Sequence, residues 1–419
     1  MGFLGRLCPV EEALEKTLGA LSVSIGVEEV NVDTCVGRVS AEDVRALFDV
    51  PAFDRSAVDG YAVRAEDTFG ASPSSPIELR IIGDAGIGDD PSSLPTVNAG
   101  EALELPTGAP LPPGANAVVM REDAVVRDGV VLILRPVPVW ANVSKRGEDF
   151  RKGDNVISKG TIVKPWHVGA LASFGFEKIR VYRRVRVAVF STGDEVVEPG
   201  EPLRPGQVYN STGHLVLSCL SQYPFVEPRY LGILPDDENV LKRAVKEALA
   251  THDVLITTGG TGVSSGDVVP RVIGELGSPG VIVRGVAMRP GRPTSIGVVD
   301  GKPVFMLSGF PVAALAGLDA IVIPVLHRML GAKEDPKPTV RAKLTRRVVN
   351  AVGYRSYVRV RVFKKNGEVY AEPLRLTGSG ILSTLVRGNG LLVLPENLEG
   401  YEAGELVDVV LLNPVTEEV

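Results

Sequence analysis

Between about residue 185 and residue 330 the chain alternates strand-like and helix-like segments, and nothing else in its 419 residues restricts the fold as much. RVRVAVFSTGDE reads as an apolar strand followed by a polar turn, and NSTGHLVLSCLSQY as a helix. EPRYLGIL is a strand. DDENVLKRAVKEALA is a helix whose first turn carries acids, which suits its dipole. HDVLITTGG, VVPRVIGEL, KPVFMLSGF and VAALAGLDAIVIPVLHRML continue the alternation as strand, helix, strand and helix. Such alternation builds a parallel sheet with helices on both faces, a doubly wound α/β domain.

The flanks differ. PVEEALEKTLGAL (9–21) is a helix started by Pro9, with Val10, Ala13, Leu14, Leu18 and Leu21 on one apolar face. Residues 27–46 read as short strands. From Val50 to about Val139 short β-like runs sit among Gly, Pro and Ser, the texture of a small β-rich domain with long loops. WHVGALASFG (166–175) is a short helix closed by Gly175. After the polar linker GAKEDPKP (331–338), strand patterns such as YRSYVRVRVF and ELVDVVLL point to a small all-β domain, a barrel or a sandwich. The expected fold class is therefore multidomain, α/β and β.

In doubly wound sheets ligands bind beyond the carboxyl ends of the strands. Four such ends carry small residues, hydroxyls and acids: STGDE (191–195), PDDE (235–238), GGTGVSSGD (259–267) and SGFP (308–311). Four together favour a binding crevice. Gly259, Gly260 and Gly262 lie between a strand and a helix, where backbone N–H groups can hold an anion. A Gly-rich turn with Asp267 as helix cap explains the same residues, and the spacing does not separate the two. Arg289 and Arg292 flank Pro-Gly in MRPGRPTS and suit an oxyanion. In VPAFDRSAVDGYAV (50–63), Asp54, Arg55, Ser56 and Asp59 crowd one segment, for which a turn network is a sufficient account.

Composition removes other classes. Net charge is −6 and aromatics make up 5%, so neither a general nucleic-acid surface nor an aromatic platform is expected. The 3 cysteines have no C-x-x-C spacing, which argues against a disulfide framework or a zinc cluster. No apolar run reads as a membrane span, and charge comes too early in the N-terminal stretch for a signal peptide. A cytoplasmic protein is expected.

PAFDRSAVDGYAV, LPTGAPLPPGANAVV, RGEDFRKGD, FSTGDEVVEPGEPLRPGQVYNS, GGTGVSSGD and MRPGRPTS occur here in the order seen in the molybdopterin molybdenumtransferases. The chain resembles that family, which includes the C-terminal domain of gephyrin, over nearly its whole length. The tail TGSGILSTLVRGNGLLVLPE is similar to the family's last domain.

The resemblance implies a homodimer of four-domain subunits. In it residues 1–26 give a helix packed on the α/β domain, 27–46 and 141–182 a discontinuous linking domain, and 47–140 a β-rich insertion. The α/β molybdopterin-binding domain spans 183–330, and 336–419 form a β-barrel-like domain. The implied reaction inserts molybdate or tungstate into adenylated molybdopterin with release of AMP, assisted by Mg2+ or another divalent cation. Asp59, acting across the dimer cleft, Asp149, Glu195, Asp236, Asp237 and Asp267 are the implied catalytic acids, and Glu195, Asp236, Asp237 and Asp267 the metal-binding set. Implied substrate contacts are Asp54, Ser56, Thr192, Gly193, Asp194, Asn210, Ser211, Gly259, Gly260, Thr261, Gly262, Ser264, Ser308, Gly309 and Pro311. The glycines are expected against the pterin phosphate, with Arg289 and Arg292 on the oxyanion.

Two departures stand out. Arginines occupy 289 and 292, where the family usually has lysines, and the family's Gly-x-Pro-Gly-Asn-Pro loop is reduced to Ser308–Pro311 with Phe310 in place of a polar residue. The rival readings are a molybdopterin adenylyltransferase, which shares the α/β module and is a possible partner, and a gephyrin-like scaffold without catalysis.

Overall fold

The computed structural model describes residues 7–261, 268–374 and 378–417. Gly262, Ser264 and Asp267 lie outside the described residues. Two compact units are present: residues 1–42, 159–168 and 177–419 form the first, and residues 43–158 and 169–176 the second. The segments expected to link the domains are divided between them.

The first unit is built on a six-stranded sheet. Its strands are β1 (Val185–Thr192), β2 (Val226–Leu234), β3 (Val254–Thr258), β4 (Pro279–Arg284), β5 (Ser295–Val299) and β6 (Lys302–Leu307), in the order β2-β1-β3-β6-β5-β4. The four strands β2, β1, β3 and β6 run parallel, as the alternation implies. β5 and β4 are antiparallel additions at one edge, so the sheet is mixed rather than wholly parallel. The β5–β6 hairpin turns on Asp300 and Gly301, both at positive φ, the two-residue turn that matches strand twist.

Along β1, Val185, Val187 and Val189 enter one core while Ala188 and Phe190 enter another. A strand buried on both faces must be apolar throughout, which is why VRVAVF shows no polar alternation after its second residue. The N-terminal helix α1 (Val10–Ala20), α2 (Ser211–Leu220) and the long helix α5 (Pro311–Met329) contribute to the first core. Helices α3 (Glu238–Thr251) and α4 (Val268–Leu276) contribute to the second.

α5 is long and apolar enough to cross a membrane by length and composition, contrary to the reading that no run approaches a span. Two thirds of it is buried (67%), because it is a core helix of the sheet. Its middle widens into a π-turn at Leu318–Val322, just ahead of Pro324, whose missing N–H cannot close an ordinary helical bond.

The C-terminal region closes into a barrel. Arg355–Lys365 pairs with Glu368–Pro373, then Thr339–Leu344, Leu406–Leu411 and Gly390–Leu394 follow, and the last pairs back onto Arg355–Lys365. Val360, Val362, Leu392 and Val409 fill its interior. Met288–Arg289 adds alongside Arg355–Ser356. The second unit holds its own six-stranded mixed sheet between two small cores. Tyr61 and Val63 face one, and Ala62 and Leu103 the other.

Candidate active site

The carboxyl ends of β1, β3 and β6 meet at one pocket of about 500 Å³. Of the residues expected to contact substrate, Thr192, Asn210, Ser211, Gly259, Gly260, Thr261, Ser308, Gly309 and Pro311 line it, together with the acid Glu195. Ser191, Thr212, Thr258 and Phe310, which the sequence reading did not select as contacts, line it too.

The glycines have a local reason to be there. Gly259 has φ +90°, and a Cβ on it would meet the Thr192 carbonyl oxygen at 2.4 Å. The turn after β3 therefore packs directly on the end of β1, which only glycine permits. The Gly259 N–H donates to the Leu307 carbonyl at 3.1 Å, so this donor is already spent within the protein.

Asn210 lines the pocket with most of its hydrogen-bonding capacity already used inside the protein. As N-cap of α2, its Oδ1 accepts from the Gly213 N–H at 3.0 Å and from Ser191 Oγ at 3.0 Å. Its Nδ2 donates to the Tyr230 hydroxyl at 2.6 Å. Tyr230 donates to Glu198, whose other oxygen faces His214 Nε2 at 3.0 Å. Burial acts against the Glu198 charge, but the bonds from Tyr230 and His214 outweigh it and hold its pKa below the usual carboxylate range. Burial and the adjacent Glu198 carboxylate push the Tyr230 phenol up. At the opposite extreme Thr192 Oγ1 is buried with no partner among the described residues, so it is poised for a ligand.

Other expected residues lie apart from this pocket. Gly193, Asp194, Asp236 and Asp237 follow β1 and β2 but do not line it. Asp194 accepts from the Asp236 N–H at 3.4 Å. Asp237 spends one oxygen on the Val240 N–H at 2.9 Å as N-cap of α3. Among the described residues no three His, Cys, Asp or Glu side chains converge as a metal-binding group. Of the expected acids among the described residues, Glu195 is the one that lines the pocket.

Arg289 belongs to a second pocket, of about 440 Å³, lined also by Asn350, Ser356, Arg359 and Ser379. Its guanidinium lies 4.3 Å from the centre of the Tyr354 ring. Arg359, absent from the sequence reading, is 3% exposed there. It donates to the Tyr357 carbonyl at 3.0 Å and to Thr384 Oγ1 at 3.2 Å, and burial lowers its pKa. Arg292 lines neither pocket; its Nε is buried without a partner among the described residues.

The remaining acids lie in the second unit. Asp59 is exposed, and its Oδ1 accepts from the Thr107 N–H at 2.7 Å and Thr107 Oγ1 at 2.8 Å, which lower its pKa. Thr107 was legible only as part of the LPTGAP block. Asp54 accepts from the Arg146 N–H at 2.7 Å, and Asp149 is exposed. Ser56 is buried and bonds Val58, so it serves the local turn.

Residues 8–175 match the MoeA N-terminal region (domain I and II), 188–328 the probable molybdopterin-binding domain, and 341–412 the MoeA C-terminal region (domain IV). A putative molybdopterin biosynthesis protein of Methanocaldococcus jannaschii is 39% identical, over 98% of this chain and 100% of that one. A molybdopterin molybdenumtransferase of Staphylococcus epidermidis is 32% identical, over 96% of this chain and 95% of its own length. The crystal structure of a molybdopterin biosynthesis MoeA protein from Pyrococcus horikoshii matches 97% of this chain and 100% of its own, with TM-score 0.82 and 34% identity. The chain belongs to the MoeA family of molybdopterin biosynthesis proteins.

Proposed function

We infer that the chain is a molybdopterin molybdenumtransferase of molybdenum cofactor biosynthesis. It inserts molybdate or tungstate into adenylated molybdopterin and releases AMP. The observation that carries this is full-length similarity to a molybdenumtransferase in a chain whose strand ends form a ligand-sized pocket. The adenylyltransferase alternative leaves the matched N- and C-terminal regions without a role, and a scaffold has no need of the acids Asp59, Asp149, Glu195, Asp236, Asp237 and Asp267.

In this reading the strand-end pocket binds the pterin substrate, and Thr192 Oγ1 supplies a hydrogen bond. The oxyanion binds at Arg289 and Arg359, whose guanidinium donors match its oxygens and offset its charge. Arg292, whose buried Nε has no partner among the described residues, is a further oxyanion candidate. Mg2+ or another divalent cation, when bound, neutralises charge on the phosphoanhydride and its leaving group. Glu195, with Asp236 or Asp267, would hold it, and the remaining acid orients the hydrolytic water. Asp59 and Asp149 act in the same reading from the partner subunit of a homodimer, in the cytoplasm. An adenylyltransferase that supplies the substrate is a natural partner. The domain bounds proposed are those of the sequence: a linking domain at 27–46 and 141–182, its insertion at 47–140, and domains at 183–330 and 336–419. Asp267→Asn tests the acid set. The variant should bind adenylated molybdopterin nearly as wild type but insert no metal. Lost binding with normal turnover per bound ligand would contradict the assignment.

A further inference from the structure

The Gly213 N–H fixes the hydrogen positions in the strand-end pocket. The Gly213 N–H can only donate, so the group 3.0 Å from it must be the Asn210 oxygen, and the Asn210 NH2 must face Tyr230. That oxygen carries only lone pairs, so Ser191 Oγ must give it its single hydrogen. Thr258 Oγ1, 2.8 Å from Ser191 Oγ, must then be the donor in that pair. Thr258 is left with lone pairs alone. Thr212 gives its hydrogen to the Gly309 carbonyl at 2.6 Å, and Thr261 to the Leu307 carbonyl at 3.3 Å. Four pocket hydroxyls have thus spent their hydrogens inward. The far end of the chain agrees, because Glu198 accepts from Tyr230 and keeps the Tyr230 oxygen turned toward the Asn210 NH2.

A phosphate oxygen needs donors, and these four hydroxyls offer acceptors; Thr192 Oγ1, beside Gly260 at the pocket's edge, is the hydroxyl that keeps its hydrogen. The pocket also carries flat apolar surface. Tyr209 and Phe310 line it, at 44% and 59% exposure. Gly380 leaves room for the Phe310 ring, since a Cβ there would fall 2.9 Å from it. We propose that the floor formed by Ser191 and Thr258, polarised by Asn210, accepts hydrogen bonds from the N–H edge of a planar heterocycle, and that phosphate lies off this floor. This reverses the expectation that phosphate faces Gly259. Naming the heterocycle as the pterin rests on the function proposed above; the polarity does not. Ser191 and Thr258 are the specificity-determining contacts, and Asn210 is a positioning residue.

The test is calorimetric binding of 2-amino-4-oxopteridine, of 4-oxopteridine lacking the amine, and of inorganic pyrophosphate to the full chain. Wild type should prefer the aminated ring by about tenfold. Thr258→Val should cut that preference to about threefold or less with pyrophosphate affinity unchanged, and Thr258→Ser should keep it. Ser191→Ala, which returns a hydrogen to Thr258, should reduce it too. Circular dichroism checks that each variant is folded. No pteridine binding to wild type, no preference in wild type, or an equal loss of pyrophosphate in Thr258→Val would overturn the proposal. A preference in wild type without AMP release from adenylated molybdopterin would sink the transferase reading and leave the polarity standing.

Discussion

The floors of the two pockets of the first unit differ in hydrogen-bonding character. At the strand ends, Ser191, Thr212, Thr258 and Thr261 direct their hydrogens into the protein. In the barrel-side pocket, Arg289 and Arg359 bring guanidinium groups that can only donate. One segment serves both: Gly378 and Ser379 line the second pocket, and Gly380 and Leu382 the first. It is tied to the first turn of α5 by the Val312 N–H, 3.0 Å from the Ser379 carbonyl. In the proposed reading, the difference lets one unit recognise a donor-edged ring and an oxyanion at separate places. In the first, polarity is set by a chain of neutral groups ending in a carboxylate; in the second, by fixed positive charge.

The sharpest way to break the comparison is Arg359→Ala. It removes the buried donor of the oxyanion pocket and should lower oxyanion-dependent AMP release on the order of a hundredfold, with pteridine affinity held. Steady-state rates against molybdate concentration measure this, and Arg359→Lys should recover part of the loss. Tyr230→Phe addresses the other pocket. It leaves the Asn210 NH2 and Glu198 each short of a partner, at a cost of about 1–3 kcal/mol read from urea unfolding. Arg289→Lys keeps the charge but loses the planar fork over Tyr354, and should raise the apparent KM for molybdate by only about threefold.

The smallest effect is that of pH. Glu198 has a depressed pKa, so its support for the Asn210 chain is complete above the ordinary carboxylate range and is lost as pH falls through the lower folded value. Pteridine preference should therefore stay flat from neutral pH down through the ordinary carboxylate range and fall only below it, as titration of binding at successive pH values would show.

Much of this was legible in the sequence because it is periodic. The run VRVAVF announced a strand buried on both sides, and chain order put STGDE, GGTG and SGFP at one sheet edge. The antiparallel edge went unread although its signal was present, in the Asp300-Gly301 turn between two apolar runs. Side-chain commitments were not legible. The internal bonds of Asn210 could not be read from the sequence because its cap partner, its tyrosine and its serine come from three separate segments. Arg359 and Arg361 share one face of the same strand, yet the first is buried and the second is 47% exposed in its side chain, a difference made by what packs over each. The carboxylates of PDDE looked equivalent, and only the structure shows Asp237 spending an oxygen on a helix end.

AMP release is the most direct test of the central claim. The purified chain would be mixed with adenylated molybdopterin and Mg2+, with molybdate, tungstate or neither added. The account predicts release that depends on an oxyanion, and the oxyanion that supports it names the metal. Tight binding of the pterin with no release under any of the three conditions would contradict it.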